Sequence, residues 1–295
     1  MSADDLTQLY NMHVYKGKRY YKKRSKTNNS RVIAFDLDET LGSFADLEIL
    51  WTALQDYTDD DVPVNFDHLL DIYPEFLRYG ILPILEHLLE KKRTNECSHL
   101  YIYTNNQCSV EWVDMIARYF NYALHTKIPV FNQIISAFKI NSRRVEPSRT
   151  THSKTYSDFI KCTLLPKSTE LFFVDNTYFP SMKHTDVYYI QPKLYIHHLS
   201  TQDIIQRFVN SDLFVKLSHR KGSIPQDTMH SCLLHAFIQS NAYTTGNPKL
   251  KDLETDIIVA KKIMYHIRDF FQLSNIKCRT KRKRVRIGHI TRRNK

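Results

Sequence analysis

The sequence predicts an α/β fold, a parallel sheet with helices on both faces, followed by a C-terminal helical extension. Three observations lead to it. The runs "VIAF" (32–35), "LYIY" (100–103), "LFFV" (171–174) and "VYYI" (187–190) are short, β-branched or aromatic, and nearly continuous in apolarity, as strands buried on both faces are. Stretches with helical spacing of apolar residues separate them. Beyond about residue 201 the strand-like runs cease and only helical spacing remains.

In chain order, residues 1–30 read as a basic segment. It lacks the apolar run of a secretory signal, and no stretch of the chain reaches the ~20 apolar residues of a membrane helix. The expectation is an intracellular protein, in cytoplasm or nucleus, without membrane contact. The α/β part spans 31–195. Its first strand ends in "DLDET", and a helix is expected over "PEFLRYGILPILEHLLEKK" (74–92), bent or split at Pro83. The second strand ends in "YTNNQ" and leads to a helix at "VEWVDMIARYF" (110–120). After the stretch 121–153, which carries Arg143, Arg144 and Arg149, Lys154 opens a helix over "KTYSDFIKCTLL" (154–165). The third strand ends in "FVDNTYFP". The helical extension covers 196–276, and 277–295 form a basic tail.

The net charge of +11 is unevenly distributed. Eight basic and no acidic residues lie from Lys16 to Arg31, and ten basic and none acidic from Lys277 to Lys295, leaving 24 basic residues against 31 acids elsewhere, a net of −7. The basic flanks suggest contact with nucleic acid or an import receptor, or simple solubilisation, and the tyrosines interleaved with cations in "KGKRYYKK" could stack on bases. The acidic "QDYTDDDVP" reads as a solvated loop. Five scattered cysteines without a C-x-x-C pair indicate neither a disulfide framework nor a zinc cluster, and the histidines show no metal-ligand spacing.

Chemistry concentrates where the strands end. In open α/β sheets ligands gather beyond the carboxyl ends of the strands, and three strands deliver polar signatures there. Asp36 and Asp38 repel each other, so a cation or a transferring phosphoryl group should offset the cost. A calcium loop is excluded by Leu41 and Leu47 where glycine and glutamate are needed. Capping a helix needs one acid and leaves Thr104 and Asp175 unexplained. The residues fit phosphoryl transfer: Asp36 attacks phosphorus, and Asp38 protonates the leaving oxygen and then activates water. Mg²⁺ would sit on Asp36 and Asp175, and Thr104 with a lysine would grip the phosphoryl oxygens. Lys154 is preferred by its placement, with Lys161 as the fallback.

"DLDETL" (36–41), Thr104 after an apolar strand, a lysine, and "VDN" (174–176) resemble the four motifs of the haloacid dehalogenase (HAD) phosphatase superfamily. The glutamate of the first motif and the Asp-Asn of the last resemble its FCP/SCP branch, the NLI-interacting-factor-like phosphatases related to those of the RNA polymerase II C-terminal domain. "CTD phosphatase-like" proteins of large DNA viruses are similar. The resemblance covers about 31–195 and implies a Rossmannoid sheet with a minimal cap. It also implies Asp36 as nucleophile, Asp38 as general acid/base, and Mg²⁺ held by Asp36, the Asp38 carbonyl and Asp175, with Asn176 beside the metal's water shell. Thr104 and Lys154 would bind the phosphate. Gly42-Ser43 and Thr177 depart from the family pattern.

The expected function is therefore a Mg²⁺-dependent hydrolase of phosphoserine or phosphothreonine in a phosphoprotein substrate. The alternatives are a phosphatase for nucleic-acid ends recruited by the basic flanks, or a binding module that keeps the fold without turnover.

Overall fold

The computed structural model describes residues 12–21, 30–58, 64–220, 224–245 and 250–273. Its strands are β1 (His13–Lys16), β2 (Arg31–Phe35), β3 (His99–Tyr103), β4 (Gln133–Ile135), β5 (Lys139–Ile140), β6 (Arg143–Arg144), β7 (Glu170–Val174) and β8 (Val187–Gln191). Six of them form one sheet in the order β1-β8-β7-β2-β3-β4, and β5 pairs with β6 in a small hairpin. All pairings in the large sheet are parallel except that of β1, which closes one edge antiparallel to β8. The sheet is thus mixed, and its antiparallel edge strand comes from the basic N-terminal segment.

Among the described residues are nine α-helices: α1 (Ala45–Thr58), α2 (Phe66–Asp71), α3 (Ile81–Arg93), α4 (Val110–Ala123), α5 (Tyr156–Thr163), α6 (Thr201–Val209), α7 (Asp212–Arg220), α8 (Gln226–Gln239) and α9 (Leu250–Leu273). Alternate strand residues separate into two cores, as the period of two demands. Ile33, Phe35, Ile102, Phe172 and Val174 face a large core shared with α1–α4 and the C-terminal helices, whose Ile204, Phe237, Ile267 and Phe270 are buried in it. Val32, Ala34, Tyr103, Leu171 and Phe173 face a smaller core covered by Tyr156 and Phe159 of α5. Helices therefore cover both faces, and the runs read as continuously apolar because neither face meets water.

Two helix expectations need correction. Residues 74–80 do not belong to the helix over 74–92: Pro74–Phe76 make a 3₁₀ turn, and Gly80 at φ +73° starts α3. Pro83 is the third residue of α3, where its missing N–H has no intrahelical acceptor to lose, so it neither bends nor splits the helix. Lys154 does not open α5 but precedes it by two residues. Thr155 is the cap, its hydroxyl accepting from the Asp158 N–H at 2.9 Å.

Candidate active site

The strand register builds the site. Phe35 lies opposite Val174 on one side and Ile102 on the other, so the chain leaves β2, β7 and β3 at one level. The ladder continues one residue further, with the Asp36 N–H donating to Val174 O at 2.9 Å and the Asp175 N–H to Ile190 O at 3.1 Å. Asp36 and Asp175 thus emerge side by side, and Thr104 follows the last residue of β3. They line a cavity of about 230 Å³ together with Asp38, Asn106, Lys154 and Asn176.

Lys154 lines this cavity and is 1% exposed. Its ammonium donates to Asp36 Oδ1 and, at 2.7 Å, to Asp175 Oδ2. The rings of Tyr103 and Phe179 flank it, with centroids 5.7 and 5.4 Å from Nζ. Burial works against its charge, but Asp175 and Asp36 outweigh burial and hold the ammonium above the ordinary lysine range. Lys161, by contrast, is half exposed and pairs with Asp158 at 3.8 Å on the surface of α5, away from the cavity.

Each remaining side chain is placed by a specific bond. Asp38 Oδ2 accepts from Asn106 Nδ2 at 2.8 Å. Burial, opposed by that bond, pushes the Asp38 carboxyl up to about 6. Thr104 Oγ1 accepts the Asn106 backbone N–H at 2.9 Å, which leaves its hydroxyl proton to be given elsewhere. Asp175 Oδ1 accepts from the Thr177 N–H at 2.8 Å, and burial pushes this carboxyl up to about 7 in spite of Lys154. Asn176 ties two motifs together: its Oδ1 accepts from the Thr40 hydroxyl at 3.0 Å and its Nδ2 donates to Glu39 at 2.9 Å.

The turn after Asp38 is tight. Glu39 has φ +58°, its N–H donates to Gly42 O at 2.6 Å, and a Cβ on Gly42 would come within 2.4 Å of Phe76 O. Two buried arginines brace the loops. Arg78 donates to Thr40 O, Glu39 O and Lys193 O. Arg149 donates to Thr104 O, Ser136 O, His152 O and Asn105 Oδ1 at 2.7 to 3.0 Å. Arg149 is fully buried and so is a brace, not a surface arginine of the stretch 121–153. Neither arginine nor Thr40 carries a sequence signal for this work. Asn106 did lie inside "YTNNQ", and a third polar residue beyond a strand end was the available hint.

Among the described residues no group of three or more His, Cys, Asp or Glu side chains is gathered closely enough to hold a metal ion unaided. Mg²⁺ asks for less, one or two carboxylates and several waters. The charge count fits it: among the described residues Asp36, Asp38 and Asp175 share the cavity with one ammonium, that of Lys154, and Asp38 and Asp175 are pushed up by burial. A hard divalent cation on Asp36 and Asp175 would relieve that excess. Fold and site define an α/β protein with a carboxylate–lysine centre at the carboxyl ends of its parallel strands. No family model, curated protein or solved structure matches the chain.

Proposed function

We propose that the chain is a Mg²⁺-dependent phosphoric monoester hydrolase of the haloacid dehalogenase kind, acting on phosphoserine or phosphothreonine in a protein through an aspartyl-phosphate. One observation carries the reading: Asp36, Asp38, Thr104, Lys154 and Asp175, drawn from four separate segments, line one small cavity. Asp36 attacks phosphorus with the oxygen that Lys154 leaves free, and the ester P–O bond breaks as Asp38 gives its proton to the leaving alcohol oxygen. Water, deprotonated by Asp38, then attacks the aspartyl-phosphate, releasing phosphate and restoring Asp36. Lys154 and the Thr104 hydroxyl hold the phosphoryl oxygens through both steps. Mg²⁺ on Asp36, the Asp38 carbonyl and Asp175, with Asn176 beside its waters, would supply neutralising charge when bound.

At about 230 Å³ the cavity is smaller than the roughly 300–1,000 Å³ of small-molecule sites, so most of a large substrate would lie outside it, which suits a protruding side chain of a protein. Part of the described N-terminal flank is taken up by the fold, which weakens a nucleic-acid platform there: Lys16 pairs with Asp269 at 2.7 Å, Arg19 pairs with Asp186 at 2.7 Å, and Tyr20 is buried, while Lys18 and Tyr21 are exposed. Arg31 lies over the Phe271 ring, and the basic residues of 22–29 and 277–295 lie outside the described residues.

Hydrolysis of an aryl phosphate with and without Mg²⁺ tests the reading. Asp36→Asn should lower turnover on the order of 10³-fold or more while circular dichroism stays unchanged. Full activity in that variant would remove the nucleophile and the proposal with it. A wild-type chain inert on every phosphomonoester would favour the binding module.

A further inference from the structure

A second cavity, of about 700 Å³, lies between the segment leading into α3 and the C-terminal helices α6 and α9. Leu77, Leu82, Leu199 and Leu253 give it apolar walls, and Tyr79 and Leu253 at its lining keep 47% and 45% of their surface exposed. Asp256 also lines it and is only 7% exposed. His198 Nε2 lies 3.7 Å from its Oδ2, and Arg78 and Lys193 also favour its charge. Asp256 thus gives this otherwise apolar cavity an acidic group that a basic side chain entering it can meet.

Two further wall residues lead to the catalytic turn. Arg78 holds the carbonyls of Glu39 and Thr40, and Tyr195 gives its N–H to Glu39 O at 2.9 Å and its hydroxyl to Glu75 O at 2.8 Å. Glu39 and Thr40 follow Asp38 directly and are the residues that Asn176 grips. Whatever fills the cavity lies against Arg78, whose side chain holds this turn, and Tyr195, whose backbone N–H does.

We propose that this cavity binds the chain's own basic C-terminal segment, residues 277–295, and that its occupancy acts on the catalytic turn through Arg78 and Tyr195. The segment has the matching chemistry: "RVRI" (284–287) alternates basic and apolar side chains, an apolar chain beside a cationic head. It also has the reach. Asp256 lies 17 residues before Leu273, ~26 Å along a helix, and Val285 lies 12 residues beyond it, up to ~40 Å of extended chain. Charge favours the same pairing, since the chain outside its two basic flanks carries a net −7.

Binding of a fluorescein-labelled peptide of residues 277–295, read by polarisation at physiological salt, tests this without any appeal to turnover. A chain ending at Leu273 should bind the peptide about tenfold or more tighter than the full chain, whose own tail competes. Asp256→Asn, or serine in place of Val285 and Ile287 in the peptide, should each weaken binding at least about tenfold. In the full chain, a photo-crosslinker at position 285 should label residues near Leu253 and Tyr79, and Asp256→Asn should abolish that label. Equal binding of a shuffled peptide of the same composition, indifference to Asp256→Asn, or capture of hexylamine without capture of the peptide would each overturn the proposal.

Discussion

At the scale of single residues, the site turns on Lys154. Among the described residues its ammonium is the cation bonded to both Asp36 and Asp175, and both acids are nine-tenths or more buried beside it. Breaking a buried ion pair by removing one partner costs more than the pair contributes, because the survivor keeps its desolvation penalty. Lys154→Met should therefore destabilise the fold by about 3–5 kcal/mol and abolish turnover, read by urea unfolding and by aryl phosphate hydrolysis. Mg²⁺ should recover part of the stability by binding the two freed carboxylates, and none of the turnover. Unchanged unfolding in Lys154→Met would show that the acids do not depend on the lysine. Asp36, Asp38, Thr104 and Asp175 were legible in the sequence because each follows an apolar run at a strand end. Lys154 was legible only as one of two candidates, since a lysine ahead of a helix has no pattern of its own.

At the scale of elements, the strand-end loops are held by guanidinium groups. Arg149 satisfies the carbonyls of Thr104, Ser136 and His152 at once, joining the loop after β3 to the segment that carries Lys154. Arg149→Met keeps the stem but strands those acceptors, at about 1–3 kcal/mol for each that water cannot reach. The loss in urea stability should be about 3 kcal/mol, against less than about 0.5 kcal/mol for Arg143→Ala on the exposed hairpin. Equal effects of the two would mean that Arg149 does not brace these loops. The buried central strands were readable from composition because both of their faces are covered. β1 and β4 were not, being edge strands of four and three residues with only partly buried side chains over most of their length. The 3₁₀ turn before α3 escaped because "PEFLRYG" keeps a helix-like apolar spacing while Gly80 at positive φ breaks the backbone path.

At the scale of the whole molecule, the two ends of the described chain meet at one sheet edge. Lys16 of β1 donates to Asp269 of α9 at 2.7 Å, across 253 residues of sequence. Asp269 Oδ2 also accepts from the Tyr188 hydroxyl at 2.9 Å, and that hydroxyl lies 2.8 Å from His266 Nδ1. Burial, with Lys16 adding to it, holds the His266 imidazole down to about 4 against the pull of Asp269. Between pH 6.5 and 4 the unfolded chain therefore takes up a proton at His266 that the folded chain refuses. Stability from this residue is complete above about pH 6.5 and falls as the pH drops towards 4. Asp38 and Asp175 act with the opposite sign: their folded values, about 6 and 7, lie above the ordinary 3.8, so they favour the fold as the pH falls. The wild-type melting curve alone mixes these effects, and a variant separates them. His266→Gln keeps a donor for the Tyr188 hydroxyl but cannot be protonated. Its melting temperature should drop less than the wild type's between pH 7 and 4.5, so that the difference between the two chains shrinks on acidification. A difference that stays constant across that range would mean that His266 does not couple the closure of the sheet edge to pH.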